Sequence, residues 1–173
     1  MEKDFEGYHK SVKIVMQEAK KGVLRNIHGP VSQLIRTEDA YTVAIEIALG
    51  GAMQQIVVDS ESDGKAAISF LKRTGGGRAT FLPIAAIQGR SLQEKGLEDE
   101  TGFVGIASDL VKTDKDYEGI ARYLLGRVVV AEDLDYATVI ARKYGYKFRV
   151  VTLDGQVVNA GGSLTGGSSI KGA

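Results

Sequence analysis

The chain has 173 residues, 43% of them hydrophobic and 25% charged, which is enough to bury a core and too few for several large domains. Its 22 basic and 22 acidic residues cancel, so overall charge gives no reason to expect nucleic acid or an anionic membrane as partner, and any such signal must be local. With no cysteine, disulfides, thiolate metal sites and cysteine nucleophiles are excluded, and two histidines leave little for a metal, so no metal and no cofactor is expected.

From the amino terminus, Phe5, Tyr8, Val12, Val15 and Ala19 are spaced by alternating steps of three and four, the a/d seam of a coiled coil. An amphipathic helix packed on its own domain fits the same short pattern. Gly22 ends the periodicity and Gly29-Pro30 punctuates the chain, so the globular part begins near there. Val31 to Ile35 reads as a short strand, and Thr37 is placed to cap a helix running through Tyr41, Ile45 and Leu49 to Gly50-Gly51. Ile56 to Val58 is a buried strand, and Asp59 or Ser60 caps a helix carrying Ala67, Ile68 and Leu71. The glycines at 75, 76 and 77 then release the chain into a strand from Ala79 to Leu82. Gln88 to Thr101, acidic and without a long apolar run, reads as a surface connection between lobes.

Beyond it the pattern returns. Thr113 and Tyr117 lead through Leu125 to Gly126 as Thr37 and Tyr41 lead through Leu49 to Gly50, with tyrosine and glycine nine positions apart each time. Val128 to Val130 corresponds to the Ile56 strand, Asp133 to Arg142 to the helix after it, and Arg149 to Leu153 to the strand at Ala79. Two similar α/β halves are the expectation. Asp154-Gly155 is a hairpin signal, with Val157-Val158 as the return strand. Paired glycines, Gly161-Gly162 and Gly166-Gly167, then flank Ser163-Leu164-Thr165, where positive φ or close approach of another backbone is permitted. A fraying terminus is the plain alternative. No apolar run approaches the roughly 20 residues that span a bilayer, and the charged start is no signal peptide, so a cytoplasmic protein without a membrane partner is expected.

Together these segments resemble the hinge domain of structural-maintenance-of-chromosomes (SMC) proteins of the prokaryotic kind. The matching stretches are Gly29 to Ile35, Ala44 to Gly51, Ile56 to Val58, Gly77-Arg-Ala-Thr-Phe-Leu-Pro83, Val128 to Val130, Arg149 to Gly155 and Gly161 to Gly167, in family order over most of the chain. The resemblance implies a mixed α/β domain of two similar lobes that forms a ring-shaped homodimer. Residues 1–25 would be the end of a coiled-coil arm, 26–87 lobe I, 88–101 the connection, 102–170 lobe II with its glycine-rich dimerisation strand, and 171–173 the start of a returning arm. It further implies a part in chromosome condensation and segregation, with ATPase heads far away in the complete protein and no catalysis in this part. Gly161, Gly162, Gly166 and Gly167 are the implied dimer interface.

Phosphate-loop, serine-hydrolase, zinc-protease and dinucleotide signatures are missing from the sequence. Gly75 to Gly77 follows a helix and precedes a strand, the reverse of nucleotide-binding order, and reads as a turn. His28 stands without a catalytic constellation in sequence, and Asp59, Glu61 and Asp63 read as capping charges. Lys10, Lys13, Lys20, Lys21 and Arg25 against Glu18 alone form the one basic run. It is a solvated helix face or, under the resemblance, a weak and sequence-independent DNA surface made of Lys20, Lys21, Arg25 and Lys171. The competing functional class is a small-molecule-binding or enzymatic α/β domain using loops at strand ends. The hinge reading expects no small-molecule substrate.

Overall fold

The computed structural model describes residues 7–168. They fall into two compact units, neither a continuous stretch. The first runs up to Arg36 and takes in Gly51–Gln88 and Thr113–Ile120; the second takes in Thr37–Gly50, Gly89–Lys112 and the chain from Ala121 on.

In the first unit the strands Ile27–Pro30, Ile56–Val58 and Phe81–Pro83 form one sheet, with Ile56–Val58 in the middle, antiparallel to the first and parallel to the third. Ile56, Val57 and Val58 are all buried, as a central strand occupied on both faces requires. The helix Glu61–Thr74 starts from a capping box: Asp63 N–H donates to Ser60 Oγ, and Ser60 N–H donates back to the Asp63 carboxylate at 3.1 Å. It ends at Gly75 in the left-handed region, φ 67°, where a Cβ would be strained. Ala67 and Leu71 turn inward against Val12 and Val15 of the helix Lys10–Lys20, with Leu24, Ile56 and Val58. The seam of the first helix is therefore filled by its own unit, and Val12 and Val15 each gain roughly 1.5–3 kcal/mol from burial. Phe5 lies outside the described residues.

In the second unit five strands form one sheet in the order Leu164–Thr165, Val157–Val158, Arg149–Thr152, Val128–Ala131, Phe103–Ile106. Only the pair of Arg149–Thr152 with Val128–Ala131 is parallel. The helix Leu134–Lys143 begins at Asp133, whose carboxylate accepts from Tyr136 N–H at 3.0 Å, and lays Ala137, Ile140 and Ala141 on Val129, Val150 and Val158. Leu92 and Leu97 join this core. The stretch expected to be a surface connection is thus part of the second unit, anchored by two leucines among charges.

The duplication is visible in hydrogen-bond register. Ile27, Gly29 and Pro30 pair with Val58, Val57 and Ile56 across a bulge. Phe103, Gly105 and Ile106 pair with Ala131, Val130 and Val129 across a bulge at the same place. In each half a short helical turn follows, Val31–Leu34 and Ala107–Leu110, then a 3-10 turn, Asp39–Tyr41 and Lys115–Tyr117, then an eight-residue helix, Thr42–Leu49 and Glu118–Leu125. Val31 to Ile35 is thus not a strand. Pro30 stands at its N-cap and Ile35 N–H closes a turn onto Val31 O at 3.1 Å, so tertiary context overrides the β-branched preference. Nor does Thr37 cap a helix: its Oγ1 donates to Leu110 O at 2.6 Å. Its counterpart Thr113 donates to Leu34 O at 2.7 Å.

These two bonds mark an exchange. Thr42–Leu49, from the first repeat, belongs to the second unit, where Arg149 Nη1 donates to Ala48 O at 3.0 Å and so satisfies a carbonyl of the helix end. Thr113–Ile120, from the second repeat, belongs to the first unit. Continuous lobes of 26–87 and 102–170 do not describe this division, because the repeats trade the segment after the bulged strand.

Replacing Ser60 with alanine removes one side of the capping box and should cost about 0.5–2 kcal/mol in a urea titration, with unchanged slope. Bonds from Asn26 and then Ser60 hold the Asp63 carboxyl below its ordinary value. The stability this adds is present above about pH 4 and is lost as pH falls through the lowered value. Asp63→Asn should therefore flatten the acid limb of stability against pH; an unchanged limb would place that dependence on other carboxylates.

Candidate functional site

Thr152, Asp154, Gly155 and Gln156 build the hairpin that carries the tail. Thr152 is fully buried; its Oγ1 bonds the Asp154 carboxylate and accepts from Gln156 N–H at 2.9 Å, while Gly155 takes φ 90° at the turn. The returning strand Val157–Val158 then pairs antiparallel with Leu164–Thr165, which is the outermost strand of the sheet. Leu164 is 62% exposed. A large aliphatic side chain on an open edge strand is what proteins ordinarily avoid, since the free backbone groups template pairing with another chain.

The tail is ordered through residue 168 by two amide side chains. Gln156 donates through Nε2 to Gly167 O at 3.1 Å and accepts from Gly167 N–H at 2.8 Å. Asn159 Nδ2 donates to Thr165 Oγ1 at 3.0 Å. The fraying alternative therefore does not hold for these residues. Sequence reasoning missed both amides, whose only signal is their position just after a hairpin turn. The four glycines have intrachain reasons. Gly161, Gly162 and Gly167 sit at φ 91°, 112° and 132°, and a Cβ on Gly166 would lie 2.0 Å from Gln156 Oε1. Alanine at these positions would disturb the tail itself.

On the first unit, Lys20 and Arg25 are exposed and without an ion-pair partner among the described residues, while Lys21 lies 3.3 Å from Glu18. Lys20 and Lys21 stand at the carboxyl end of the helix Lys10–Lys20, where cations are favoured by its unpaired carbonyls. Lys10 is exposed and Lys13 half-buried. Lys171 lies outside the described residues.

His28 occupies the bulge of the strand Ile27–Pro30. Its Nε2 lies 2.5 Å from Asp59 Oδ1 and its Nδ1 2.8 Å from Tyr117 Oη. The carboxylate can only accept, so Nε2 carries the proton of this bond, and in the neutral form of the ring Nδ1 would accept from the phenol. Burial, and then Asp114, Asp116 and Asp59, hold the Tyr117 phenol protonated above its ordinary value. Bulges re-aim side chains, and this one ties the exchanged segment to the strand Ile56–Val58 region through Asp59. Among the described residues no cluster of three or more histidine and carboxylate side chains could hold a metal, and no helix is long and apolar enough to cross a membrane.

Two tandem α/β repeats that trade the segment after the bulged strand, ending in an exposed edge strand bounded by glycines, define a duplicated mixed α/β domain. The family model for the flexible hinge domain of SMC proteins matches residues 24–141, and the chain belongs to that family. It is 44% identical over 174 residues to the chromosome partition protein Smc of Bacillus subtilis, and 43% identical over 138 residues to that of Methanocaldococcus jannaschii. The first match covers 99% of this chain and 14% of the relative, the second 80% and 12%, so the chain spans only about a seventh of the curated relatives. Among solved structures, an asymmetric dimer of the Geobacillus stearothermophilus SMC hinge domain superimposes with TM-score 0.90 at 47% identity, covering 96% of this chain and 68% of that one. The Pyrococcus furiosus Smc hinge with an extended coiled coil gives TM-score 0.77 at 28% identity, covering 93% and 54%.

Proposed function

We propose that this hinge joins two copies of its chain, and through them two coiled-coil arms of a chromosome-partitioning ATPase whose heads lie elsewhere in the protein. The observation that carries the reading is the exposed edge strand Leu164–Thr165. It has a complementary place to go. In the second unit the parallel strand Arg149–Thr152 is followed outward by two more strands, whereas its counterpart Phe81–Pro83 ends the sheet of the first unit. Each copy thus offers one surplus edge and one edge short of a strand, and edge-to-edge addition uses both. Two copies related by a twofold axis make the contact twice, and once one forms the second is intramolecular, so small interfaces suffice. Gly161, Gly162, Gly166 and Gly167 serve this contact by shaping and thinning the strand that is offered. The asymmetric dimer formed by the Geobacillus stearothermophilus SMC hinge domain supports the reading.

Asn159 N–H donates to Ser163 O at 2.7 Å, so Leu164 and Val158 are a non-hydrogen-bonded pair and the backbone groups of Leu164 point away from the sheet. Leu164→Pro removes that outward donor without touching the intrachain ladder. We expect a folded monomer at low micromolar concentration by light scattering; a dimer that persists with unchanged circular dichroism sinks the edge assignment.

As a second activity the hinge binds DNA weakly through Lys20, Lys21, Arg25 and Lys171, working in the cytoplasm at the chromosome, with no cofactor and no small-molecule substrate. The support is local: from Lys10 to Arg25 five cations face Glu18 alone, and the helix end presents Lys20 and Arg25 to solvent. Fluorescence anisotropy at low salt should show binding without sequence preference, weakening with salt by a log–log slope of about −0.9 per phosphate contacted. Lys20→Glu with Lys21→Glu and Arg25→Glu should abolish it with the dimer intact. A flat wild-type titration rejects DNA binding and leaves the dimer reading standing.

A further inference from the structure

The second unit carries a different concentration of positive charge. A cavity of about 500 Å³ is lined by Gly89, Arg90, Ser91, Gln93, Arg122 and Arg127, with three arginines and no carboxylate. All three arginines are exposed, and none has an ion-pair partner among the described residues. The backbone holds the three arginines together. Leu92 N–H donates to Gly126 O at 2.9 Å, laying the segment after Arg90 along the end of the helix Glu118–Leu125. The approach is so close that a Cβ on Gly89 would sit 2.1 Å from Tyr123 N, and one on Gly126 would sit 2.2 Å from Arg90 O. Both positions require glycine for contact between backbones, and that contact sets Arg90, Arg122 and Arg127 around one space.

The repeat sharpens the point. The position of Arg122 in the helix Glu118–Leu125 is that of Glu46 in the helix Thr42–Leu49, so the positive charge is not a requirement of the shared fold. Guanidinium groups present paired donors in a plane, which matches two oxygens of a phosphate better than an ammonium does. The Ser91 hydroxyl and Gln93 amide add neutral donors at the rim. We propose that this cavity binds a phosphate-rich anion, several phosphates in a row, supplied either by a free polyphosphate or by a nucleic-acid backbone. The site lies in the second unit, whereas Lys20, Lys21 and Arg25 lie in the first, so it stands or falls independently of the DNA surface proposed above.

The first arm of the test is calorimetric titration with inorganic tripolyphosphate. Saturable binding at one site per chain is expected, weakened at least tenfold in Arg122→Ser with Arg127→Ser. In Arg122→Lys with Arg127→Lys, which keeps the charge and loses the fork, the loss should be smaller. The second arm is an oligothymidylate anisotropy titration in protein already carrying Lys20→Glu, Lys21→Glu and Arg25→Glu. Residual binding that the arginine substitutions remove identifies a nucleic-acid backbone as the source; tripolyphosphate binding alone identifies a free polyphosphate. Because the arginines are exposed, circular dichroism of the variants should match wild type. If neither probe binds, or if both serine substitutions leave binding unchanged in a folded protein, the proposal is overturned.

Discussion

Two threonine hydroxyls hold the organisation on which the rest depends. Thr37 donates to Leu110 O and Thr113 to Leu34 O, so each repeat is bonded to its twin at the point where its chain departs for the other unit. Each bond adds only about 1 kcal/mol net. Their importance is positional: they fix where the segment before each eight-residue helix leaves one sheet. Because Thr42–Leu49 then belongs with the strands of the second repeat, neither unit has its full set of elements without chain from both repeats. The same exchange gives Tyr117 a place beside His28, where the bulged strand turns an otherwise ordinary histidine into a tie between Tyr117 and Asp59.

Symmetry in the duplication makes its departures informative. Strand register, bulge and helix length repeat, but the second half continues past its last shared strand into Val157–Val158 and Leu164–Thr165. That extension is held by Gln156 and Asn159 and shaped by glycines whose backbone angles are closed to other residues. An edge strand built with this much support, and carrying a 62% exposed leucine, is not a loose end. The charge pattern also departs from symmetry, with Arg122 at the position of Glu46.

Much of this was legible in the chain. Aliphatic runs at Ile56 to Val58 and Val128 to Val130, the capping residue Ser60, the Asp154-Gly155 turn and the in-register return of tyrosine and glycine each report a local preference that the fold obeys. The stretch from Val31 to Ile35 misled because β-branched residues favour strands only where a ladder is available. Pro30 and the bond from Val31 N–H to Gln55 O instead commit it to a turn. Gln88 to Thr101 misled because two leucines among charges carry no periodicity, although both are buried.

Sequence alone determined the class of element at most positions, the existence of two halves, the family, and the glycine-bounded segment as the unusual feature, since these rest on local conformational preference and on motif order. Tertiary structure decided which sheet each helix joins. An apolar stripe such as Ala44, Ile45, Ala48 and Leu49 demands burial without naming the surface that provides it. It decided likewise that Val12 and Val15 pack on their own unit, that His28 meets Asp59 and Tyr117, and that Arg90 shares one cavity with Arg122 and Arg127. Each of these depends on distances between residues remote in the chain, which no local preference encodes.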